Sequence, residues 1–475
     1  MSTLLLAATA TLAIVTQDQA ALRAAPRDSA PQQAVLWQGE SLEIRGERLG
    51  YLQVYDHVRE RGGYIRASQV RTTRLDAATA PELRAVIRFL RDTPGAEALG
   101  IGYGAAYLKA APAQAIDAEL FDMLGSMAER LGRRASGRQG RTTDATLAAH
   151  LQVAANYGIK LSGVERDGRV QLCYDGDAFR RVLALPADAS QQTRAALALT
   201  RHDCLDPLQS PPQRHAVDQW RASLLNRIDG SALPEFVRNR LRLRQAGVWA
   251  ALAFQHARRG EAATQAAQQA LDALASVVVE ELSEEDRSAY SDAAIRVGAS
   301  RWAALPAAAT DKGLSVITQP GEPGQTCVLL VDARRDTKSP LFKTCSYGLV
   351  WTASASANPD GTALTLAVQP LEGWRELWLF RRGVDGWQLT VLPPSNQNPD
   401  LGYIEFAGWV PGGKQMLAAR EVKVDGRFQR SFELIDLETL AVQKQADHPN
   451  SLSTFHRWQS PRWKQLTVSL RQMPK

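Results

Sequence analysis

The spacing of apolar residues changes twice along this 475-residue chain, and each change predicts a different kind of secondary structure. Up to about residue 74, apolar and polar residues alternate, which is typical of strands that bury one face. From 76 to about 305 the apolar residues recur at helical spacing, and from 313 onward alternation returns between Gly, Pro and Asp turns. The sequence therefore predicts a multidomain α+β protein with three parts.

The first part, residues 13–74, is predicted to be a small antiparallel β-barrel. The pattern is carried by Leu42, Ile44, Leu52 and Val54 in the strands and by Gly46, Gly50 and Gly63 at the turns. Glycine is favoured at such reversals because it has no Cβ. The order of residues resembles the bacterial SH3 domain: 22–26 match its opening strand and turn, and 39–46, 50–54 and 63–70 match later strands. This resemblance implies an SH3-like barrel and a binding role.

The N-terminus carries about a dozen apolar residues, from Leu4 to Val15, with no Lys or Arg before them. This run is too short to span a bilayer but long enough for the core of a signal peptide. The SH3 resemblance places the first half-strand at 13–16, so that Ala8-Thr9-Ala10 is the expected cleavage site. Residues 1–12 are therefore predicted to be the remnant of a secretory signal whose true start lies upstream. We expect a periplasmic or secreted protein without a transmembrane segment.

Cysteine usage supports the same compartment. The four cysteines form no CxxC and have no zinc-finger spacing with His. Four cysteines allow three pairings, of which Cys173–Cys204 and Cys327–Cys345 keep each bond inside one predicted domain. Disulfides of this kind would each stabilise the protein by roughly 3 kcal/mol. The alternative is four buried free cysteines in a cytosolic protein.

The middle part, 76–305, is predicted to be helical with one short β-hairpin. Residues 79–82 match a capping box with proline in the first turn, and an apolar stripe follows at 83, 86, 87 and 90. A second stripe runs from 116 to 131. The hairpin is predicted from 160 to 173 across Asp167-Gly168. Residues 252–271 are similar to a single tetratricopeptide hairpin, a pattern that any helical hairpin with a Gly turn produces.

The third part, 313–475, contains a repeat of about 50 residues. Pro359, Pro411 and Pro461 are 52 and 50 residues apart and each lies in a similar turn segment. The repeat is similar to the blades of TolB-like β-propellers, in which a strand ends before Pro-Asp-Gly-Lys. Counting half-units at 328–345 and 455–470, the chain has about three blade-equivalents, whereas a closed propeller needs at least four. We therefore expect a partial propeller whose free β edges could support an oligomer.

Charge does not indicate a nucleic-acid partner. The net charge is +6, but basic and acidic residues are interspersed along the chain. The densest run, at Arg130, Arg133, Arg134, Arg138 and Arg141, is predicted to be a solvated Gly/Ser-containing loop without aromatic residues between the charges. Nucleic-acid binding needs a basic face rather than a loop.

The sequence contains no recognised catalytic, nucleotide or metal motif, and no cofactor is predicted. The glycine run 100–104 has no preceding strand and is expected to be the start of a helix, either flexible or close-packed. His202-Asp203-Cys204, with His215 beyond it, is the one enzyme-like feature, since cell-wall cysteine peptidases often accompany bacterial SH3 domains. Leu205-Asp206-Pro207 follows the cysteine, so a helix that would lower the pKa of its thiol is not expected. A disulfide is the favoured reading.

Aromatic residues of the barrel are the predicted ligand-binding residues. On the strand 51–55, Leu52 and Val54 have one parity and Tyr51 and Tyr55 the other. Together with Trp37 and Tyr64 these tyrosines could line a shallow groove for a peptide or sugar. The alternative is that Arg59, Arg61 and Arg66 simply cover them.

The predicted function is that of an exported, non-enzymatic binding or scaffold protein of the bacterial cell envelope. Its expected partner is a peptidoglycan peptide or another envelope protein. Two alternatives remain at this stage: a cell-wall hydrolase or amidase with an unrecognised site in the helical part, and a structural subunit of an envelope assembly.

Overall fold

The computed structural model describes residues 11–138, 145–166, 168–306, 313–396 and 401–472. The predicted signal remnant lies almost entirely outside these residues, as does its cleavage site. The chain divides into two compact units, 1–209 and 210–475. The division falls inside the predicted helical part, because its first helices share a core with one another and its last helices share a core with C-terminal strands.

The first unit begins with seven strands and continues with helices that are interrupted by three short strands. They are β1 (Thr11–Val15), β2 (Ala20–Arg23), β3 (Gln32–Leu36), β4 (Ser41–Arg48), β5 (Tyr51–Asp56), β6 (Arg61–Arg66), β7 (Val70–Arg74), α1 (Ala80–Arg91), α2 (Glu97–Ala110), α3 (Ala118–Ala135), β8 (Gly137–Arg138), α4 (Ala145–Asn156), β9 (Leu161–Arg166), β10 (Arg169–Tyr174), α5 (Asp177–Ala184) and α6 (Ala189–Leu199). The N-terminal β part and the helical part that were predicted are therefore present.

The N-terminal sheet has seven antiparallel strands in the order β3-β2-β6-β5-β4-β1-β7. Alternation along the strands places one parity in the core: Leu42, Leu52, Val54 and Ile65 are at most 4% exposed. Among the described residues no pairing joins β3 to β7, so the sheet has two edges. The antiparallel sheet is thus confirmed, without closure into a barrel.

Helix α1 follows its predicted stripe but not its predicted cap. Leu83, Ile87 and Leu90 are buried. The predicted capping box is wrong, because Thr79 lies in the right-handed helical region and its side chain accepts no cap hydrogen bond. Its hydroxyl donates instead to the Arg74 carbonyl, 2.5 Å away. Asp76 serves the turn by accepting a hydrogen bond of 3.0 Å from the Thr79 amide.

The arginine run is mostly helical, contrary to the predicted loop. Arg130, Arg133 and Arg134 all lie on α3. Arg130 Nε donates to Glu97 at 2.5 Å and Arg134 pairs with the same carboxylate, which is fully buried. The spacing of three and four residues places these arginines on neighbouring turns, where each finds an acidic partner. Arg138 is in β8, and Arg141 lies outside the described residues.

The second unit begins with helices and continues into two sheets, one of three strands and one of eight. Its elements are α7 (Pro211–Asn226), α8 (Glu235–Arg258), α9 (Thr264–Ala275), α10 (Glu284–Ser300), β11 (Ser315–Pro320), β12 (Thr326–Val331), β13 (Phe342–Ser346), β14 (Leu349–Ala357), β15 (Ala363–Leu371), β16 (Trp374–Gly383), β17 (Gly386–Leu392), β18 (Leu401–Trp409), β19 (Gln415–Val424), β20 (Arg427–Asp436), β21 (Val442–Ala446), α11 (Ser453–Trp458) and α12 (Pro461–Leu466).

Two four-stranded meanders contain the first two turn segments of the predicted repeat, at Pro359 and Pro411. β14–β17 form one and β18–β21 the other, joined by a short parallel pairing between β16 and β18. β11–β13 form a separate three-stranded sheet. The predicted strand half-unit at 455–470 is wrong, since this segment forms α11 and α12. Among the described residues no ring of sheets closes.

Both predicted disulfides are confirmed. Cys173 on β10 bonds to Cys204, with Cα atoms 5.7 Å apart. Cys327 on β12 and Cys345 on β13 face each other directly across the antiparallel pair and bond there. Each bond lies inside one of the two units, as the pairing argument required. Among the described helices, none combines the length and apolarity that crossing a membrane demands.

Candidate functional site

The register of β5 and β6 sets the positions of the predicted aromatic residues. Gln53 lies opposite Tyr64, and Leu52 lies opposite Ile65. Because facing residues share a side of the sheet, Tyr51, Tyr55 and Tyr64 share the face opposite the core. Trp37 follows β3, and in the sheet order β2 and β6 separate β3 from β5. The structure therefore brings the three tyrosines to one face and places Trp37 two strands beyond it.

Tyr51 is largely withdrawn from solvent on this face. Its side chain is buried, with a relative exposure of 6%, and its hydroxyl donates to the Asp28 carboxylate. This hydrogen bond raises the pKa of Tyr51, and the same bond together with that from Arg66 lowers the pKa of Asp28. The Arg66 guanidinium lies 5.7 Å from the centre of the Tyr51 ring. Tyr51 therefore offers little area to a ligand, and its side chain mainly packs beneath this face.

Tyr55 is partly exposed and lies at the centre of a polar group that we call the Tyr55 cluster: Glu43, Arg45, Tyr55 and His57. The Arg45 guanidinium lies 4.0 Å from the centre of the Tyr55 ring, and the His57 ring meets it edge-on at 4.9 Å. Glu43, directly across from Tyr55, contacts Arg45 Nε at 3.2 Å and His57 Nε2 at 2.7 Å. These hydrogen bonds hold the pKa of Glu43 below its usual value, and the bond with His57 has the largest effect.

A β-bulge explains how Arg45 reaches this cluster. The pairing of β4 with β5 shifts register between Ile44 and Gly46, so one extra residue, Arg45, has no direct partner. A bulge redirects the side chain of its extra residue and increases the local twist. Sequence reasoning missed Glu43, Arg45 and His57. The spacing of two between Tyr55 and His57, and between Glu43 and Arg45, was the available signal, but the bulge was not predictable from it.

The arginines expected to cover the aromatics have separate roles. Of the three, only Arg66 lies over an aromatic ring. Arg59 contacts Glu40 at 2.8 and 3.0 Å and also contacts Asp56. Burial raises the pKa of Glu40 even though Arg59 opposes the shift. Arg61 donates to the Gln33 carbonyl at 2.9 Å.

The enzyme-like tripeptide does not supply a nucleophile. Cys204 is in the disulfide with Cys173 and so carries no thiol. The neighbouring Asp203 accepts a hydrogen bond of 3.0 Å from the nearly buried Arg201. The segment therefore serves to link the hairpin to the helices of the first unit.

The second unit contains a buried ionic network centred on Glu405. One carboxylate oxygen accepts from Arg301 at 2.9 Å and from Arg375 at 3.0 Å. The other accepts from Trp463 Nε1 at 2.7 Å and from the Thr467 hydroxyl. Burial alone would raise the pKa of Glu405, but the two arginine charges outweigh it and the pKa lies below its usual value. Burial lowers the pKa of Arg375 to about 10.

A cavity of about 50 Å³ adjoins this network, between Trp302, Ser354 and Arg462. Sites for organic ligands are typically about 300–1,000 Å³. The network and its cavity therefore form part of the core of the second unit and are not a ligand site of ordinary size.

Three side chains that could together hold a metal ion meet at one place among the described residues. Ligand atoms of His215, His256 and Glu261 all lie within 4.8 Å of one another. No metal motif marks this group in the sequence, because His215 and His256 come from different helices and are far apart along the chain.

No protein-family model, no curated protein and no solved structure matches this chain.

Proposed function

We propose that this chain is an exported, non-enzymatic binding protein of the bacterial cell envelope, and that the Tyr55 cluster contacts its ligand. The observation that carries the proposal is a partly exposed tyrosine flanked by a guanidinium at 4.0 Å and an imidazole at 4.9 Å. Such an arrangement offers a partly exposed aromatic side chain beside hydrogen-bond donors. Aromatic residues and arginine are the side chains that most often dominate binding energy at recognition surfaces.

The ligand that suits this surface is a short peptide with a free carboxylate, such as a peptidoglycan stem peptide. Arg45 gives one N–H to Glu43, and its guanidinium has further donors in a planar fork that matches a carboxylate. The side chain of Arg45 is 47% exposed, so a ligand carboxylate can reach it. An apolar part of the peptide would then pack against the part of Tyr55 that stays exposed and against the aliphatic stem of Arg45, whose guanidinium covers the ring face. Stacking of a sugar on that face is less favourable because Arg45 already covers it.

The compartment is supported by the two disulfides. Such bonds persist in oxidising environments and are rare in the bacterial cytosol. The proposal includes two assignments of fold: the N-terminal sheet is an SH3-like domain, and the C-terminal meanders are propeller-like blades. In it, the second unit acts as a scaffold, and the outer edge of β21, where Val442–Gln445 are exposed, is where a second chain would pair.

Replacement of Tyr55 by alanine is expected to weaken binding of a stem peptide at least tenfold. Tyr55→Ala removes the surface against which the apolar part of the peptide packs, while Arg45 remains. The free energy of unfolding should change by no more than ~1 kcal/mol, as is usual for a partly exposed side chain. Titration of the full chain with a synthetic stem peptide, followed by calorimetry, measures the first quantity, and urea unfolding measures the second.

Tyr347→Ala is the matched control, because Tyr347 is an exposed tyrosine (52%) that belongs to the second unit. It should leave peptide affinity unchanged. If Tyr55→Ala unfolds the N-terminal sheet, the ring belongs to the core and the proposed surface is wrong. Equal affinity in both variants and the wild type would also reject it.

A further inference from the structure

We propose that His215, His256 and Glu261 form a binding site for a zinc ion in the second unit. This site is separate from the Tyr55 cluster and does not depend on the proposed binding function. Two imidazole nitrogens and one carboxylate oxygen lie within 4.8 Å of one another, on two helices and the turn that follows one of them.

The turn after α8 explains why His256 and Glu261 are neighbours. The Glu261 amide donates to the His256 carbonyl at 2.9 Å, and the Gly260 amide donates to the Ala257 carbonyl at 3.1 Å. This pair of hydrogen bonds is the Schellman motif, whose left-handed position is taken by Gly260 at φ +71°. The motif folds the residue after the glycine back onto the last helical turn, and here it brings a carboxylate beside an imidazole.

The third ligand, His215, is oriented by buried polar groups that contact the ring nitrogen Nδ1. His215 lies on α7 and is 7% exposed, and its Nδ1 is 3.1 Å from Gln255 Oε1. Gln255 Nε2 donates at 2.8 Å to Asp218, whose carboxylate also accepts from Arg214 at 2.7 Å. Burial alone would raise the pKa of Asp218, but the charges of Arg221 and Arg214 have the larger effect, and the pKa lies below its usual value. The Asp218 carboxylate therefore acts as a hydrogen-bond acceptor.

This chain of hydrogen bonds determines the tautomer of His215. Since Asp218 accepts from the amide nitrogen of Gln255, the amide oxygen is the atom that faces His215, and Nδ1 must carry the proton. The lone pair is then on Nε2, which is free to act as a metal ligand. A hydrogen bond from the non-ligating nitrogen is the usual support of a zinc-binding histidine, because it fixes the ring and makes the ligating nitrogen more basic.

The ligand atoms, now up to 4.8 Å apart, can come closer together if the two more exposed ligands change rotamer. A tetrahedral zinc ion with ligands at about 2.1 Å holds them about 3.4 Å apart. His215 is fixed by Gln255, whereas Glu261 is exposed and His256 is partly exposed, so these two can change rotamer. Glu261 also contacts Arg259 at 2.9 Å, and both side chains of this pair are more than 40% exposed. An ion pair of this kind contributes little and can be exchanged for the metal.

The ligand set favours zinc over the hard cations. Imidazole suits zinc and neighbouring first-row metals, whereas calcium and magnesium prefer sites built from oxygen atoms alone. Three protein ligands leave the fourth position of a tetrahedral ion to solvent or to a bound molecule. Because all four cysteines are in disulfides, no thiolate competes for the ion.

The test is calorimetric titration of zinc chloride into the untagged, chelator-treated and oxidised full chain. One ion per chain should bind, and cobalt at the same site should give visible absorption typical of low coordination. His256→Ala and Glu261→Gln should each reduce zinc affinity tenfold or more, because each removes a ligand. Both positions are at least partly exposed, so circular dichroism should show the native fold.

His456→Ala is the matched control, since His456 is an exposed histidine of the same unit whose ring nitrogen Nδ1 lies 3.0 Å from Asn450 Oδ1. It should bind zinc as the wild type does. The proposal is overturned if the wild type binds no zinc at millimolar concentration. It is equally overturned if the folded His256→Ala and Glu261→Gln variants keep the wild-type affinity and stoichiometry, since the two histidine rings, 5.3 Å apart, would then be a packing contact only.

Discussion

Glu405→Gln should lower the free energy of unfolding of the second unit by about 3–5 kcal/mol, the cost of removing one partner from a buried ion pair. The substitution keeps the volume and most hydrogen-bonding capacity of the side chain, but it leaves Arg301 and Arg375 without their counter-charge. These arginines are 3% and 0% exposed, so water cannot compensate them. Hydrogen exchange of β18 and β19 in the full chain measures the effect on this unit directly.

Glu438→Gln supplies the control, since Glu438 is an exposed glutamate of the same unit whose side chain takes no part in the network. Its expected effect is within ~0.5 kcal/mol. Equal stability of the Glu405 and Glu438 variants would mean that the network does not support the core. The aromatic rings beside the arginines, Trp302 at 4.1 Å and Tyr403 at 4.9 Å, would then be their main stabilising contacts.

Gly102→Ala should destabilise the first unit by about 2–3 kcal/mol, because it overpacks the contact between α2 and the N-terminal sheet. A Cβ at this position would lie 2.3 Å from the Gly39 carbonyl oxygen, which is backbone and cannot swing away. That oxygen also accepts a hydrogen bond of 2.7 Å from the Tyr157 hydroxyl, which would be strained or lost. Urea unfolding, together with hydrogen exchange of α2, gives the size of the effect.

The sign of this result is informative because alanine normally stabilises a helix by about 1 kcal/mol relative to glycine. A net loss therefore measures the steric conflict. Leu108→Ala, at an exposed position of the same helix, is the control and should change little. A gain in stability for Gly102→Ala would show that the helix and the sheet do not meet as closely as described.

The periodicity of apolar residues within strands and helices was the most reliable guide to the fold. In the N-terminal sheet, alternation correctly assigned Leu52 and Val54 to the core, because a one-residue slip would expose the whole apolar set. The glycine run 100–104 was expected to start a helix, flexible or close-packed, and the structure shows the close-packed form: Cβ atoms at Gly100 and Gly104 would meet Met127 and Leu124. These properties depend on local periodicity and so can be predicted from sequence.

The C-terminal segment could not be assigned in the same way. Large aromatic residues near a Ser-Pro pair matched the repeat, yet Pro461 is the first residue of α12. Proline is favoured at that position because the amide it lacks has no partner there. Phe455 and Trp463, with ring centres 5.4 Å apart, pack with Phe432 on β20. The contact that decides the fold is therefore a long-range one.

In the candidate sites, too, features set by local periodicity were predictable and features set by long-range contacts were not. The parity of Tyr51 and Tyr55 was predictable, but the burial of Tyr51 depends on Asp28, and the position of Arg45 depends on a bulge. The histidine and glutamate group depends on the packing of α7 against α8. No local pattern encodes such a meeting, although Gly260 at the end of α8 indicated the turn that places Glu261.

The central claim, that this is an envelope-binding protein, is tested most directly by co-sedimentation of the untagged, oxidised full chain with purified peptidoglycan sacculi. We predict that the protein pellets with sacculi in a saturable manner, and that Tyr55→Ala shifts most of it to the supernatant. Folded protein that stays in the supernatant at every sacculus concentration, with both disulfides intact, would contradict the account.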